Sequence, residues 1–391
     1  MQNQVSTPRV AIACGGTGGH LFPGMAVAEE LKQRGCSVAL LISPKDVDQQ
    51  AVKSATGMDV ATLPAVGLSR GRGLAFMKGF MQSYRAAAKL FKSARPDAVL
   101  AMGGFTSAPP VLAGKACGAP AFLHESNTIP GRANRWLSWT VNQAFVGFPE
   151  AAKRLHTKAV KFTGTPVRPQ FHPMDAATCR TALGLDPNRP MLLVTGGSQG
   201  ASGLNDVVIQ ALPLLARQVP GLQLFHLTGP TDVQKVEKAC AAANVKAIVK
   251  PFFSEMHLAL GAATAAISRA GASSLAELAA MRVPAILLPY PAATDNHQYY
   301  NTLAFEKTGA AFLMAQKNAK AEFLAPKVVE LIQDADTRAK MQSALADWHI
   351  PRAAANIAEN IMQVVAARRR VRGSVTVPGS PNIDNRQSVI P

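Results

Sequence analysis

The chain reads as an α/β protein built from two doubly wound domains, each a parallel sheet with helices on both faces. Three observations predict this. Short apolar, β-branched runs alternate with stretches of helical periodicity along nearly the whole length. The alternation breaks once, at Thr163-Gly164-Thr165-Pro166-Val167-Arg168-Pro169, and then restarts. Each half also opens alike, with an apolar run, a glycine cluster and a helical stretch: Val10-Ala11-Ile12-Ala13 before residues 14–20, and Met191-Leu192-Leu193-Val194-Thr195 before residues 196–201.

Taken in order, the first half offers strands near 9–14, 37–43, 59–63, 98–103, 120–125 and 143–148. Helical patterns fall between them near 23–34, 46–55, 74–94, 107–117 and 130–139. The second half offers strands near 191–196, 223–228, 246–251, 265–268, 285–289 and 311–314, again separated by helices. We therefore expect a first domain over 1–165, a second over 166–350 and a C-terminal helix over 351–372. Residues 373–391 are polar and rich in Pro, Gly and Ser, and read as a disordered tail. Open parallel sheets bind ligands at the carboxyl ends of their strands, so two such sheets face to face enclose a cleft with one glycine loop on each side.

Composition narrows the class. A 48% hydrophobic content supplies sizeable cores, and 391 residues suit two domains. The five cysteines are scattered and never form a Cys-x-x-Cys pair, which argues against a zinc site or disulfide framework and fits a reducing cytosol. No apolar run approaches 18 residues and the N-terminus lacks an apolar signal core, so neither a secretory signal nor a transmembrane helix is expected. Net charge is +17. Residues 1–165 hold 19 Lys/Arg against 8 Asp/Glu, a net of +11. Between Asp59 and Asp97 there are seven bases and no acid, interleaved with Leu74, Phe76, Met77, Phe80, Met81 and Tyr84. A basic amphipathic helix of this kind suits an anionic membrane surface. Nothing in the aromatic distribution forms a nucleic-acid-reading motif, so a nucleic-acid partner is not expected.

The first glycine cluster, Cys14-Gly15-Gly16-Thr17-Gly18-Gly19-His20, carries the most information. Glycines there let backbone N–H groups approach an anion at the positive end of a helix. The dinucleotide fingerprint fails, because position 21 is Leu and residues 36–40 offer no acid. The Walker pattern is missing as well. His20 adds a group that handles protons near neutral pH.

Several ordered pieces resemble the MurG family of peripheral-membrane N-acetylglucosaminyltransferases. They are Gly15 to His20 with Pro23-Gly24, Gly103-Gly104-Phe105, His124-Glu125-Ser126-Asn127, Gly164-Thr165-Pro166-Val167-Arg168, Gly196 to Ala201, Arg269 through Glu277, and Asp295-Asn296-His297-Gln298. The resemblance spans roughly residues 8 to 365. It implies a GT-B glycosyltransferase architecture, two Rossmann-like domains facing a central cleft, with no cofactor and no metal. It implies inverting transfer of GlcNAc from UDP-GlcNAc to the undecaprenyl-diphospho-muramoyl-pentapeptide, at the cytoplasmic face of the cell membrane. A diacylglycerol-type transferase of the same fold and a non-catalytic nucleotide-sugar binder remain the alternatives.

Site roles follow from chemistry and resemblance together. Ser198 and the N–H groups of 197–201 suit a departing diphosphate, and Arg168 adds a charged fork. By resemblance, Glu277 receives the ribose hydroxyls. The start of its helix, Ala272, Ser273, Ser274, Leu275 and Ala276, offers backbone contacts. Phe253 matches a backbone contact to the base. Gln298 and Asn127 match contacts to the sugar, and His297 stands where some members carry Gln, its role open. Thr17, Gly18 and Gly19 serve either the acceptor's diphosphate or the donor's GlcNAc. The acceptor hydroxyl needs a proton acceptor, for which His20 stands first and Glu125 second, with His124 also in reach. Asp46-Val47-Asp48 spells a metal-binding Asp-x-Asp but reads as an acid pair at a helix start, away from the cleft. Phe105 stands where Tyr is also common in the family, so that side chain is not expected to carry chemistry.

Overall fold

The computed structural model describes residues 7–45, 48–49, 52, 57–64, 73–197 and 200–374. The first sheet contains β1 (Arg9–Ala13), β2 (Ser37–Ile42), β3 (Asp59–Thr62), β4 (Ala98–Ala101), β5 (Ala121–Glu125), β6 (Gln143–Val146) and β7 (Val160–Phe162). They lie in the order β3-β2-β1-β4-β5-β6-β7, every neighbouring pair parallel. Helices α1 (Gly18–Gln33), α2 (Gly73–Ser93), α3 (Ala108–Ala116) and α4 (Arg132–Leu137) connect them. Most of the helix expected over 46–55 lies outside the described residues, as does the tail beyond residue 374. Strand β7 was not expected: it is three residues long, and its Lys161 and Phe162 are exposed, so no apolar run announces it.

The second sheet repeats the plan. It contains β8 (Met191–Thr195), β9 (Gln223–Leu227), β10 (Lys246–Lys250), β11 (Ala265–Ser268), β12 (Ala285–Leu287) and β13 (Phe312–Leu313), in the order β10-β9-β8-β11-β12-β13, all parallel. Its helices are α5 (Ala176–Ala182), α6 (Ser202–Gln218), α7 (Val233–Ala242), α8 (Met256–Ala262), α9 (Ala272–Met281), α10 (His297–Lys307), α11 (Ala321–Gln333) and α12 (Ala335–Trp348). Both strand orders reverse direction beside their first strand, between β1 and β4 and between β8 and β11. That switch point opens the crevice in which such sheets hold ligands.

Alternation along β1 sorts side chains to two faces. Val10 and Ile12 join Leu21, Met25 and Leu31 of α1 in one core, while Ala11 and Ala13 join Ala87, Phe91 and Val111 in another. The first of these cores also takes Ile357, Ala358, Ile361 and Val365 from α13 (Ala353–Ser374). The last helix of the chain thus returns to the first domain. Arg369 pairs there with Asp97 at 2.6 Å, and Arg34 with Glu359 at 3.1 Å.

The chain crosses between the sheets twice, once before α5 and once before α13, and the crossings touch. A Cβ on Gly164 would lie 2.7 Å from the Ile350 side chain, and Gly164 has φ +76, which leaves the position to glycine. Phe148, Phe305 and Trp348 pack beside this point, with the Phe305 and Trp348 rings stacked at 4.4 Å.

Candidate active site

The start of α1 after β1 meets the start of α9 after β11, so the N-termini of these two helices both point at the cleft. Each brings unpaired N–H groups and the positive end of a helix dipole. A proline joins them. Pro23 sits inside α1 and has no N–H, so the carbonyl four residues back, Gly19 O, loses its usual helical donor. The Ser273 hydroxyl of α9 donates to that oxygen at 2.9 Å.

His20 stands in the first turn of α1, with Nδ1 3.1 Å from Thr17 Oγ1. When Nδ1–H donates to Thr17, the lone pair rests on Nε2. The ring lies against the turn after β4: a Cβ on Gly103 would come within 2.8 Å of Cδ2 and 2.9 Å of Nε2. Gly103 has φ +119 and Gly104 φ +77, so glycine serves this turn both for its backbone angles and for the space it leaves the imidazole. Burial lowers the His20 pKa to about 4, against the opposing pull of Asp48. The imidazole is neutral at pH 7.

The Asp48 carboxylate makes that pull possible, and it corrects an expectation. It is not away from the cleft but fully buried beneath the glycine loop. Its Oδ2 accepts from Gly16 N at 2.7 Å, Ser43 N at 3.1 Å and Ser43 Oγ at 2.5 Å. The Lys45 ammonium donates to Gly16 O at 2.8 Å, so both sides of the Gly16 residue are tied to the turn after β2. Asp46, the other half of the pair, lies outside the described residues.

Glu125 ends β5, and its geometry argues against the role of proton acceptor. Oε1 accepts from Asn127 N at 2.8 Å and Asn127 Nδ2 at 3.0 Å, and Oε2 from Gly131 N at 3.0 Å and Asn134 Nδ2 at 2.9 Å. Four donors occupy the carboxylate, which therefore clamps the 126–131 loop. Burial pushes its pKa up while these hydrogen bonds pull it down. His124 is also structural. It is fully buried and held neutral by burial, with a pKa near 4; its Nε2–H donates to Gly164 O at 3.0 Å and its Nδ1 accepts from Ser126 Oγ at 3.2 Å.

On the facing side, Glu277 lies in α9 with its side chain 15% exposed. Burial raises its pKa to about 7, and Arg168 partly opposes the rise. Arg168 approaches Glu277 Oε1 at 3.9 Å. Its guanidinium is stacked between Phe22 of α1, 4.4 Å away, and Phe171, 4.8 Å away. Its buried Nε has no protein partner among the described residues. One cation thus spans both domains beside the acid that sequence assigns to the ribose.

The remaining residues divide. The Ala272 and Leu275 side chains are buried and the Ser273 hydroxyl donates to Gly19 O, so α9 offers the cleft its N-terminal backbone and the Ser274 hydroxyl. Gln298 Oε1 accepts from Ala270 N at 3.2 Å and Tyr290 N at 2.9 Å, which leaves its Nε2 amide for a ligand. Phe253 packs its ring on Phe225 at 5.1 Å in the second core, so only its backbone suits a base contact. His297 Nδ1–H donates to Thr294 O at 2.8 Å and follows two left-handed residues, Asp295 (φ +52) and Asn296 (φ +55). Ser198 lies outside the described residues; the flanking Gly197 and Gly200 have φ +85 and φ +74. Sequence reading missed Asn301. This fully buried residue of α10 reaches across the cleft to Asn127 and Thr128. Its only sequence signal is a polar residue on the face of α10 that also buries Thr302 and Phe305.

Comparisons with known proteins cover both domains. Residues 10–146 match the glycosyltransferase family 28 N-terminal domain, and residues 191–361 match the glycosyltransferase family 28 C-terminal domain. The chain is 36% identical over 377 residues to the UDP-N-acetylglucosamine--N-acetylmuramyl-(pentapeptide) pyrophosphoryl-undecaprenol N-acetylglucosamine transferase of Anaeromyxobacter sp. (strain K), covering 92% of this chain and 94% of that protein. It is 36% identical over 374 residues to the protein of the same name from Desulforudis audaxviator (strain MP104C), covering 93% of this chain and all of that one. The crystal structure of Acinetobacter baumannii MurG superposes with a TM-score of 0.70 at 27% identity, over 91% of this chain and 99% of that one. The chain belongs to the MurG family of glycosyltransferases. A Phytolacca americana UGT2 structure, at 16% identity and TM-score 0.65, shares the fold.

Membership of the MurG family sharpens how the cleft is read. Across it, the residues that the sequence resemblance singled out fall into two sets. Thr17, Gly18, Gly19 and His20 line the first-domain side, and Ala272 to Glu277 with Gln298 line the second. Arg168 and Asn127 stand between them.

Proposed function

We propose that this chain transfers N-acetylglucosamine from UDP-GlcNAc to the undecaprenyl-diphospho-N-acetylmuramoyl-pentapeptide, with inversion at the anomeric carbon. The observation that carries this reading is the meeting, across one cleft, of a neutral imidazole on the first domain with a buried carboxylate and an arginine against the second. The second domain holds the nucleotide: Glu277 accepts from the ribose hydroxyls, the Phe253 backbone meets the base, and Gln298 Nε2 donates to the sugar. The N–H groups at the start of α9, Ser198 with its glycine loop, and Arg168 stabilise the diphosphate.

The acceptor oxygen attacks the anomeric carbon on the face away from the diphosphate. The bond from that carbon to the phosphate oxygen breaks, and UDP leaves with the electron pair. The hydroxyl proton passes to His20 Nε2. A base of pKa about 4 is weak, but it stays unprotonated and takes the proton as the hydroxyl acidifies during bond formation. Stabilising the leaving diphosphate supplies the larger part of the rate enhancement.

The acceptor is a lipid, so the first domain meets a membrane. Helix α2 supports this. Its Ala87 and Phe91 enter the core, whereas Leu74, Met77 and Met81 form an exposed stripe, the first of them 89% exposed. Exposed Lys78, Arg85, Lys89 and Lys92 accompany that stripe. Among the described residues no helix is long and apolar enough to cross a membrane. We place the enzyme peripherally at the cytoplasmic face, on anionic lipid, where α2 inserts its apolar stripe. Co-sedimentation with anionic vesicles should fall when Met77 and Met81 become Glu; undiminished binding would remove α2 from the contact.

The transfer itself is tested by UDP release from UDP-GlcNAc, offered either the muramoyl-pentapeptide lipid or diacylglycerol. Release with the first alone supports the reading. Release with diacylglycerol alone overturns the acceptor, and release with neither leaves a nucleotide-sugar binder.

A further inference from the structure

We propose that Asn301 is a positioning residue for sugar transfer, setting the orientation of Asn127 and tying the acceptor-side loop to the donor-side turn. The inference rests on the transferase reading above. Asn301 is fully buried and uses its whole amide in four hydrogen bonds. Oδ1 accepts from Thr128 N and Thr128 Oγ1, both at 2.9 Å. Nδ2 donates to Asn127 Oδ1 at 3.0 Å and to Ala270 O at 3.2 Å. Three of its partner groups belong to the first domain, and the fourth immediately precedes the N-cap of α9.

Two consequences follow from this geometry. A carboxamide is nearly symmetric in shape, so Asn127 would otherwise present oxygen or nitrogen to a sugar hydroxyl with little preference. Here two partners of opposite polarity fix it. Glu125 Oε1 takes one N–H of Asn127 Nδ2, and Asn301 donates to Asn127 Oδ1. The other N–H of Nδ2 is left for the ligand. Second, Asn301 and Gln298 stand one turn apart on α10 and grip the two polar groups of one residue: Gln298 Oε1 accepts from Ala270 N, and Asn301 Nδ2 donates to Ala270 O. The start of α9 on the second domain is thereby held in fixed relation to Asn127 on the first, which reaches the transferred sugar. Buried polar networks of this kind matter for orientation when every member is satisfied.

A double-mutant cycle tests the assignment, using the full chain with UDP-GlcNAc and the muramoyl-pentapeptide lipid. Asn301→Ala should lower kcat by about 100-fold, as misplacement of a catalytic contact by about 1 Å does. The Kd for UDP, whose contacts lie on the second domain, should stay within about twofold of wild type. In an Asn127→Ala background, the same substitution should cost less than about threefold in kcat, because the residue it positions is gone. Asn301→Asp keeps the two Thr128 bonds and loses both donors. It should reproduce the loss in kcat; because its second oxygen meets Asn127 Oδ1 and Ala270 O, melting curves of both variants separate that loss from a folding defect. Independent, multiplicative losses in the cycle, or parallel losses of kcat and UDP affinity, would assign Asn301 a merely structural role and overturn the inference. Wild-type turnover accompanied by near-normal turnover in both Asn301 variants overturns this inference alone. Absence of turnover in the wild type overturns the transferase reading and this inference with it.

Discussion

Replacing Glu277 with Gln gives a test in which binding and stability move in opposite directions. Burial raises this carboxyl from its ordinary 4.5 to about 7. A group with that pKa is about one-tenth ionised at pH 6 and about nine-tenths at pH 8. Only the ionised form accepts from both ribose hydroxyls at full strength. Affinity for UDP-GlcNAc should therefore rise nearly tenfold between pH 6 and pH 8, or about 1.4 kcal/mol. The diphosphate of UDP-GlcNAc is esterified at both ends and does not titrate in this range, so the ligand contributes no slope of its own. Isothermal titration calorimetry at pH 6, 7 and 8 and constant ionic strength should show this rise in the wild type. Glu277→Gln should be flat and weaker at pH 8. The sign for stability is the reverse. Because the folded state holds the proton more tightly than the unfolded chain, the protonated form's contribution is complete below 4.5 and is lost as pH rises through about 7. The loss is of order 3 kcal/mol by the same conversion. Glu277→Gln should therefore melt higher than wild type at pH 8 and not at pH 4. A wild-type affinity that is flat from pH 6 to 8, or a slope that persists in the Gln variant, refutes the ribose assignment.

Three further outcomes are expected. His20→Ala should lower kcat by about 10²- to 10⁴-fold while UDP-GlcNAc affinity stays within about twofold; the wild-type kcat should show no loss attributable to His20 above pH 5, because its pKa is already about 4. Turnover near wild type in the Ala variant would exclude His20 as the proton acceptor. Gly103→Ala puts a Cβ 2.8 Å from the His20 ring at φ +119, so both turnover and melting temperature should fall, and a variant with wild-type turnover would show that His20 need not stay where it is. Asp48→Ala strands the donors of Gly16 and Ser43, which should cost about 3 kcal/mol of stability and raise KM for the lipid acceptor more than for UDP-GlcNAc; an unchanged acceptor KM would separate the glycine loop from acceptor binding.

The strands were legible because their residues are core residues: Val10-Ala11-Ile12-Ala13 and Met191 to Val194 are buried along their whole length, and such runs have few other uses. The glycine loops were legible because positive φ and close packing each select glycine. What sequence did not reveal depends on distance across the fold. Asp48 lies 32 residues from Gly16, and nothing local says that its carboxylate sits under that loop. Glu125 has the position of a base but the surroundings of a clamp, since three of its donors come from the six residues that follow it and a fourth from Asn134. Asn301 meets Asn127 from 174 residues away. Helix α2 was half legible. Its periodicity announced an amphipathic helix, but only the structure separates the core-facing Ala87 and Phe91 from the outward Leu74, Met77 and Met81.

The touching crossings at Gly164 and Ile350 constrain how this molecule can move. A single tether between two bodies permits swing, twist and slide. Two tethers side by side, one of them anchored by His124 and the other leading straight into a helix buried in the first core, leave little but rotation about the line through both. Any opening of the cleft is thereby confined to one arc, whose closed end is the contact of the Ser273 hydroxyl with the Gly19 oxygen.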